Sequence, residues 1–405
     1  VAVGDDPVSG DCMDHLRADR VFVLRHAVAQ LLFWSAFYYL MPALLPHLLA
    51  QSGWSSVAVS GAMSAGVLAW ALLSPLAGMV VDRGAAGPAM RLAGFCGAGL
   101  LMLAAWAANV WLFTMALVLL GAPMAMTLYD PCFSLMIRRF GAEARRPITL
   151  ITLIAGFATL LTFPLVGVLA STGLGWRWIM MVLAVMALFA TAILPSDPRG
   201  EGAQHSAPAA VPVRVPAART FALGTAFALL MLGHAALLFQ LPAQLADARG
   251  LSGALLLPMV LGPAQIAGRL LWERVQGWLS PERAALWLFS VMLVPPLLLF
   301  AGGGLKIALL ALIVQGGCYG MHTILRPLLA AHWLPGAGFA RRLGMIAMIG
   351  LLMMGAAPTV AAWVTSGLGL PGLLGLVLLV DLAGLALLAG LLRRARHAAW
   401  GQGSH

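Results

Sequence analysis

Twelve apolar runs of about bilayer-spanning length dominate this chain. They cover residues 27–49, 56–81, 91–108, 111–137, 148–170, 177–195, 220–246, 253–277, 284–302, 306–333, 343–365 and 372–392, and are numbered below as spans 1 to 12. A helix needs about 20 residues to cross the hydrocarbon, and a chain there must satisfy its backbone N–H and C=O groups internally. Those constraints leave an all-α membrane protein with twelve transmembrane helices as the fold class. Composition agrees, since 61% of the 405 residues are hydrophobic and only 9% are charged, with a mean hydropathy of +0.94. A soluble protein of this length needs far more charge to cover its surface.

Residues 196–219 are rich in Pro, Ala and charge and lack apolar periodicity, which predicts a cytoplasmic linker. It divides the spans into an N-terminal six-helix bundle, 21–195, and a C-terminal one, 220–396. Residues 1–20 are polar and acidic, with no apolar core of the kind a cleavable signal carries; they are expected to form a disordered cytoplasmic leader, and 397–405 a tail. Orientation follows from the basic residues. With the N-terminus inside, 19 of the 24 Lys and Arg residues fall on the inner side. Only Arg177, Arg249 and Lys306 fall outside, while Arg269 and Arg326 lie within spans. This is a strong positive-inside pattern, and it places both termini in the cytoplasm. The net charge of +10 is accounted for by that bias facing anionic lipid, so a nucleic-acid partner is not expected.

The two halves repeat. A shift of 196 positions superposes Gly121 on Gly317, Pro131 on Pro327, and Arg145-Arg146 on Arg341-Arg342. In the same register Asp130 falls on Arg326. An ionisable side chain inside a span is costly unless paired or wetted, and so marks function. Opposite charges at corresponding depths of duplicated halves suit a transporter whose two bundles rock against each other.

Six spans, a linker and six more, with similarity between the halves, resemble the major facilitator superfamily. The loop after span 2, Gly78-Met79-Val80-Val81-Asp82-Arg83-Gly84, is similar to the start of that family's G-x-x-x-D-R loop signature. The usual continuation is replaced by Ala85, Ala86 and Gly87. A degenerate copy follows span 8, with Glu273-Arg274 in the place of Asp82-Arg83. The resemblance implies two pseudo-symmetric six-helix bundles. It also implies a cytoplasmic gate built by Asp82 and Arg83, with Glu273, Arg274 and Arg269 as the second set. The stretches Gly53-Trp54-Ser55-Ser56 and Gly175-Trp176-Arg177 further resemble the monocarboxylate and oxalate/formate branches, which implies an organic anion as solute.

In that family spans 1, 4, 7 and 10 line the central cavity, while 3, 6, 9 and 12 face lipid. Candidates for contact with the solute or for coupling are then Asp130 and Arg326, Tyr38 and Tyr39, His234 and Gln240, and Gln315, Tyr319 and His322. Asp130 and Arg326 can pair during the cycle. Alternatively, the guanidinium anchors an anionic solute and the acid carries a proton; a static pair that fixes packing is the structural alternative. Histidines titrate near neutrality and can share in proton coupling. Asp381, alone in span 12, must turn inward, with a structural hydrogen bond to span 10 or 11 expected and a place on a proton path as the alternative.

Cys12, Cys96, Cys132 and Cys318 have no paired spacing, so neither a disulfide framework nor a metal site is expected. The 21 methionines are read as packing between spans. No phosphate-binding loop is present, which points to an ion gradient, with protons as coupling ion. The expectation is a monomeric secondary active transporter of the bacterial inner membrane. It is not an enzyme and carries no cofactor or metal. It is expected to move a small organic solute such as a monocarboxylate, its partners being that solute, protons and the bilayer. Export of drugs or metabolites, and a non-transporting receptor or scaffold, are the alternatives.

Overall fold

The structure is a computed structural model that describes residues 8–195, 216–249, 260–302 and 304–401. The expected leader, linker and tail therefore lie partly outside the described residues, as does the start of span 8. Each expected apolar run is mostly helix where it is described, with short breaks inside some of them and at their ends. Among the described residues, nine helical segments are long and apolar enough to cross a membrane. Two of these, Val110–Ser171 and Phe339–Arg393, each contain two of the expected runs. The first is broken by a 3-10 turn at Gly141–Ala144, and the second by Gly369, whose φ of 57° departs from helix. Span 8 is described as Leu261–Val275.

One expectation is corrected here. Residues 8–20, anticipated as disordered, belong to the helix Val8–Phe33 that runs into span 1. No proline and no glycine beyond Gly10 interrupts this stretch. Asp19 pairs with Arg139 at 2.8 Å, and the Arg139 guanidinium lies 4.1 Å above the Phe22 ring, so tertiary contacts fix the helix where it enters span 1.

Matching crossings recur in the halves. Span 4 packs on span 2 where Gly121 faces Ala69 and Trp70, and span 10 packs on span 8 where Gly317 and Gly268 meet. Membrane helices associate through small residues that let backbones approach. At Gly268 an added Cβ would stand 2.0 Å from the Gly317 carbonyl oxygen. Large apolar side chains of spans 3, 6, 9 and 12, among them Phe95, Phe189, Trp287 and Leu379, are exposed and form the surface offered to acyl chains. Span 2 crosses span 11 between the halves. There an added Cβ on Gly78 would meet the Ala340 carbonyl oxygen, and one on Gly344 that of Ser74.

Candidate functional site

Two irregularities of the backbone aim the polar side chains. In span 4 the helix Val110–Thr127 stops at Leu128, which is extended, and resumes as Tyr129–Phe140. Pro131 has no N–H to give the Thr127 carbonyl. That carbonyl instead accepts a hydrogen bond from Gln30 Nε2 of span 1 at 2.6 Å. Asp130 thereby falls in the first turn of the resumed helix, where the helix dipole favours a carboxylate. In span 1 a π-helical turn covers Trp34–Tyr39. Pro42 leaves the Tyr38 carbonyl without its usual i+4 donor, and such widened turns often sit at functional sites.

Between these features the halves meet. Arg326 Nη2 donates to Asp130 Oδ1 at 2.5 Å, and both side chains are largely covered. The chain has four tyrosines, and all four converge here. Tyr38 and Tyr39 have ring centroids 5.0 Å apart, and Trp34 lies 4.7 Å from Tyr129. Tyr319 is within electrostatic reach of Tyr39, Arg326 and Arg269. Arg269 also reaches Tyr39 and Tyr129. It is 4% exposed, donates from Nη1 to the Thr152 carbonyl at 2.9 Å, and pairs with no carboxylate among the described residues. Gly156 makes the room: a Cβ there would lie 2.1 Å from Arg269 Nη1.

The other expected residues divide. His234 stacks on Tyr319 with centroids 3.7 Å apart, and Tyr319 stacks on His322 at 5.3 Å. Gln315 is fully buried. Gln240 is half-buried on span 7 and makes no hydrogen bond or ring contact with another described residue. Asp381 is also fully buried, but its carboxyl lies against Gly233 of span 7. The hydrogen bond to span 10 or 11 expected for it is not formed. Tyr129 and Gln30 were not singled out from the sequence. The scarcity of tyrosine could have drawn attention to the first, whereas the second depends on a tertiary contact.

The loop residues gather at one end of the bundle. Asp82 accepts hydrogen bonds from the backbone N–H groups of Ala340 (2.9 Å) and Arg341 (2.8 Å), at the start of the helix beginning at Phe339. Gly84, with φ of 84°, turns the chain after Asp82 as few other residues could. The symmetry-related contact has the opposite polarity. Arg145, at the start of span 5, donates to the carbonyl of Gln276 at 2.5 Å, just past the end of span 8. Arg138 donates to the Val81 carbonyl. Arg83, Glu273 and Arg274 are exposed, and no ion pair joins them to another described residue.

Removing the Asp82 charge should loosen this end. Its interaction with a helix N-terminus and two amide donors amounts to about 1–2 kcal/mol. Asp82→Asn should therefore shift the closed-to-open ratio roughly five- to thirtyfold toward open. Spin labels at Ala85→Cys and Ala337→Cys would register this as a longer distance population; an unchanged distribution would leave Asp82 no part in closure.

Two helical halves that enclose charged and aromatic groups and seal together at one end define a polytopic membrane carrier. The sequence profile of the Major Facilitator Superfamily matches residues 27–313, well over half of the chain, and the chain belongs to that superfamily. It is a multi-pass membrane transporter, not an enzyme. The human organic anion transporter MFSD10 (TETRAN) has a similar structure, with a TM-score of 0.72 at 17% identity over 91% of this chain and 99% of that one. The proton:xylose symporter XylE is similar with a TM-score of 0.69 at 13% identity, over 90% and 94%. At such identities the likeness is one of fold. No curated protein matches by sequence.

Proposed function

We propose that this transporter is a secondary active carrier that moves a small organic anion, with a monocarboxylate as the first candidate, by alternating access coupled to protons. Arg269 carries the reading: a covered guanidinium without a carboxylate partner among the described residues, within electrostatic reach of the phenols of Tyr39, Tyr129 and Tyr319. A buried cation is costly unless compensated. Asp130 offsets Arg326, so the site retains one positive charge in excess, which suits a monoanion. A guanidinium grips a carboxylate through paired N–H donors, and the surrounding rings supply apolar contact with hydroxyls at their tips.

In this reading the Asp82 end is cytoplasmic, because the basic residues gather there, and the protein works as a monomer in a bacterial inner membrane with both termini inside. The hydrogen bonds that join the halves among the described residues all lie at that end or at the ion-pair level. The arrangement corresponds to a carrier closed inward and receiving solute from outside. Anion binding beside Arg269 competes with the Arg326–Asp130 attraction, and release of that pair frees the halves to rock.

The test is thermal stabilisation and calorimetry of purified protein with small monocarboxylates and cationic amphiphiles side by side. Carboxylates should stabilise the protein. Arg269→Gln should weaken that binding roughly ten- to hundredfold, since a charge-assisted hydrogen bond contributes about 1.5–3 kcal/mol. Stabilisation by the cations alone would replace the anion reading with drug export.

A further inference from the structure

Behind the tyrosine cluster the C-terminal half holds a second polar layer, which the anion site touches only at Tyr319. Gln315, Tyr319 and His322 recur at i, i+4 and i+7 on span 10 and so share one face. Gln315 is fully buried, His322 is 2% exposed and His234 is 6% exposed. Neither amide atom of Gln315 has a hydrogen-bond partner among the described residues, nor does Nδ1 of either histidine. His322 Nε2 lies 3.3 Å from the Phe227 carbonyl oxygen. On the far side stands Asp381, fully covered, with both carboxyl oxygens likewise unpartnered. Its Oδ1 lies 2.9 Å from where a Cβ of Gly233 would stand. The carboxyl therefore rests on span 7 one residue before His234, whose ring stacks on Tyr319.

Six buried polar atoms without partners in one region are too many for a packed interior. Each costs about 1–3 kcal/mol if left unsatisfied. Polar interiors of this kind hold bridging water, which needs two to four partners per molecule. We propose that these groups hold a file of water from the tyrosine cluster to Asp381, and that Asp381 takes up and releases the proton of the transport cycle. A hydronium at the cavity end gives up one proton, the file relays it, and an Asp381 oxygen becomes O–H; release reverses the relay and leaves the carboxylate. Asp130 is poorly placed for this task while Arg326 holds it.

Among the described residues, the titratable or charged groups facing Asp381 or the file are His234 from span 7, and Cys318, Tyr319 and His322 from span 10. Arg326 acts on His322 from one turn further along. Span 11 contributes the apolar Met353, Met354 and Ala357 to the cluster that includes Val380.

The proposal rests on the carrier reading but needs no transported anion for its test. Infrared spectra of the purified full chain in lipid should contain a carboxylic-acid C=O band that Asp381→Asn lacks, while that near-isosteric variant keeps the wild-type elution profile. In heavy water the band should move promptly in wild type and about tenfold more slowly in Gln315→Leu, where one relay group is lost. The distance between labels at Ala85→Cys and Ala337→Cys should change between acidic and alkaline buffer in wild type, and hold constant in Asp381→Asn. Absence of the band, exchange unaffected by Gln315→Leu, or an intact pH response in Asp381→Asn would each overturn the proposal. Failure of carboxylates to bind would remove the anion reading and leave this result standing.

Discussion

Asp130→Asn and Arg326→Gln should each abolish transport and each destabilise the protein, whereas the double variant should recover most of the stability and none of the flux. The reason is an asymmetry of buried ion pairs. Removing one partner strands the other charge, at a cost of about 3–5 kcal/mol, while replacing both restores a neutral interior. Here Arg326 and Asp130 lie 2.5 Å apart and are 11% and 14% exposed. The measurements are melting temperature and flux in proteoliposomes at matched protein levels. A pair that only fixes packing would let the stable double variant transport normally. Wild-type flux in both single variants would remove the pair from the mechanism altogether.

Gly78→Val should open the sealed end without unfolding either half. Its added Cβ would stand 2.2 Å from the Ala340 carbonyl oxygen, and one added at the reciprocal Gly344 would stand 2.3 Å from the Ser74 carbonyl oxygen. Backbone cannot yield as a side-chain tip can, and overpacking costs typically 1–3 kcal/mol. That cost falls only on the state in which spans 2 and 11 touch. Maleimide labelling of Ser74→Cys, a position now 3% exposed, should therefore accelerate by roughly five- to hundredfold, in a background whose native cysteines are alanine. Gly268→Val applies a similar insult between spans 8 and 10, inside one half. It should lower the melting temperature instead of redistributing states. Equal labelling in Gly78→Val and its parent would mean that this crossing does not hold the end shut.

Proline shows where reading the sequence succeeds and where it stops. Pro131 and Pro327 occupy equivalent positions of the repeat, and the shift of 196 that relates them also aligned Asp130 with Arg326, which the structure joins. Yet span 4 breaks at Leu128, while span 10 runs unbroken from Leu305 to Trp333 through Pro327. Both prolines withhold one N–H. Only near Pro131 does a Gln30 side chain take the freed carbonyl, and Gln30 lies 97 positions away. Arg269 makes the same point. Its position near the end of span 8 is legible, but its enclosure depends on Gly156 of the other half leaving room for the guanidinium.

The membrane class, the course of the spans and the repeat were written in composition and periodicity, because hydrocarbon admits few backbone structures and each advertises itself by length and apolarity. Only the packed halves decided which polar side chains share a space. That choice rests on contacts between residues more than a hundred positions apart, such as Asp82 with Ala340, Arg145 with Gln276 and Arg269 with Thr152. No local pattern encodes such encounters, since they arise from how close two helices come and which atoms are left without a partner when they do.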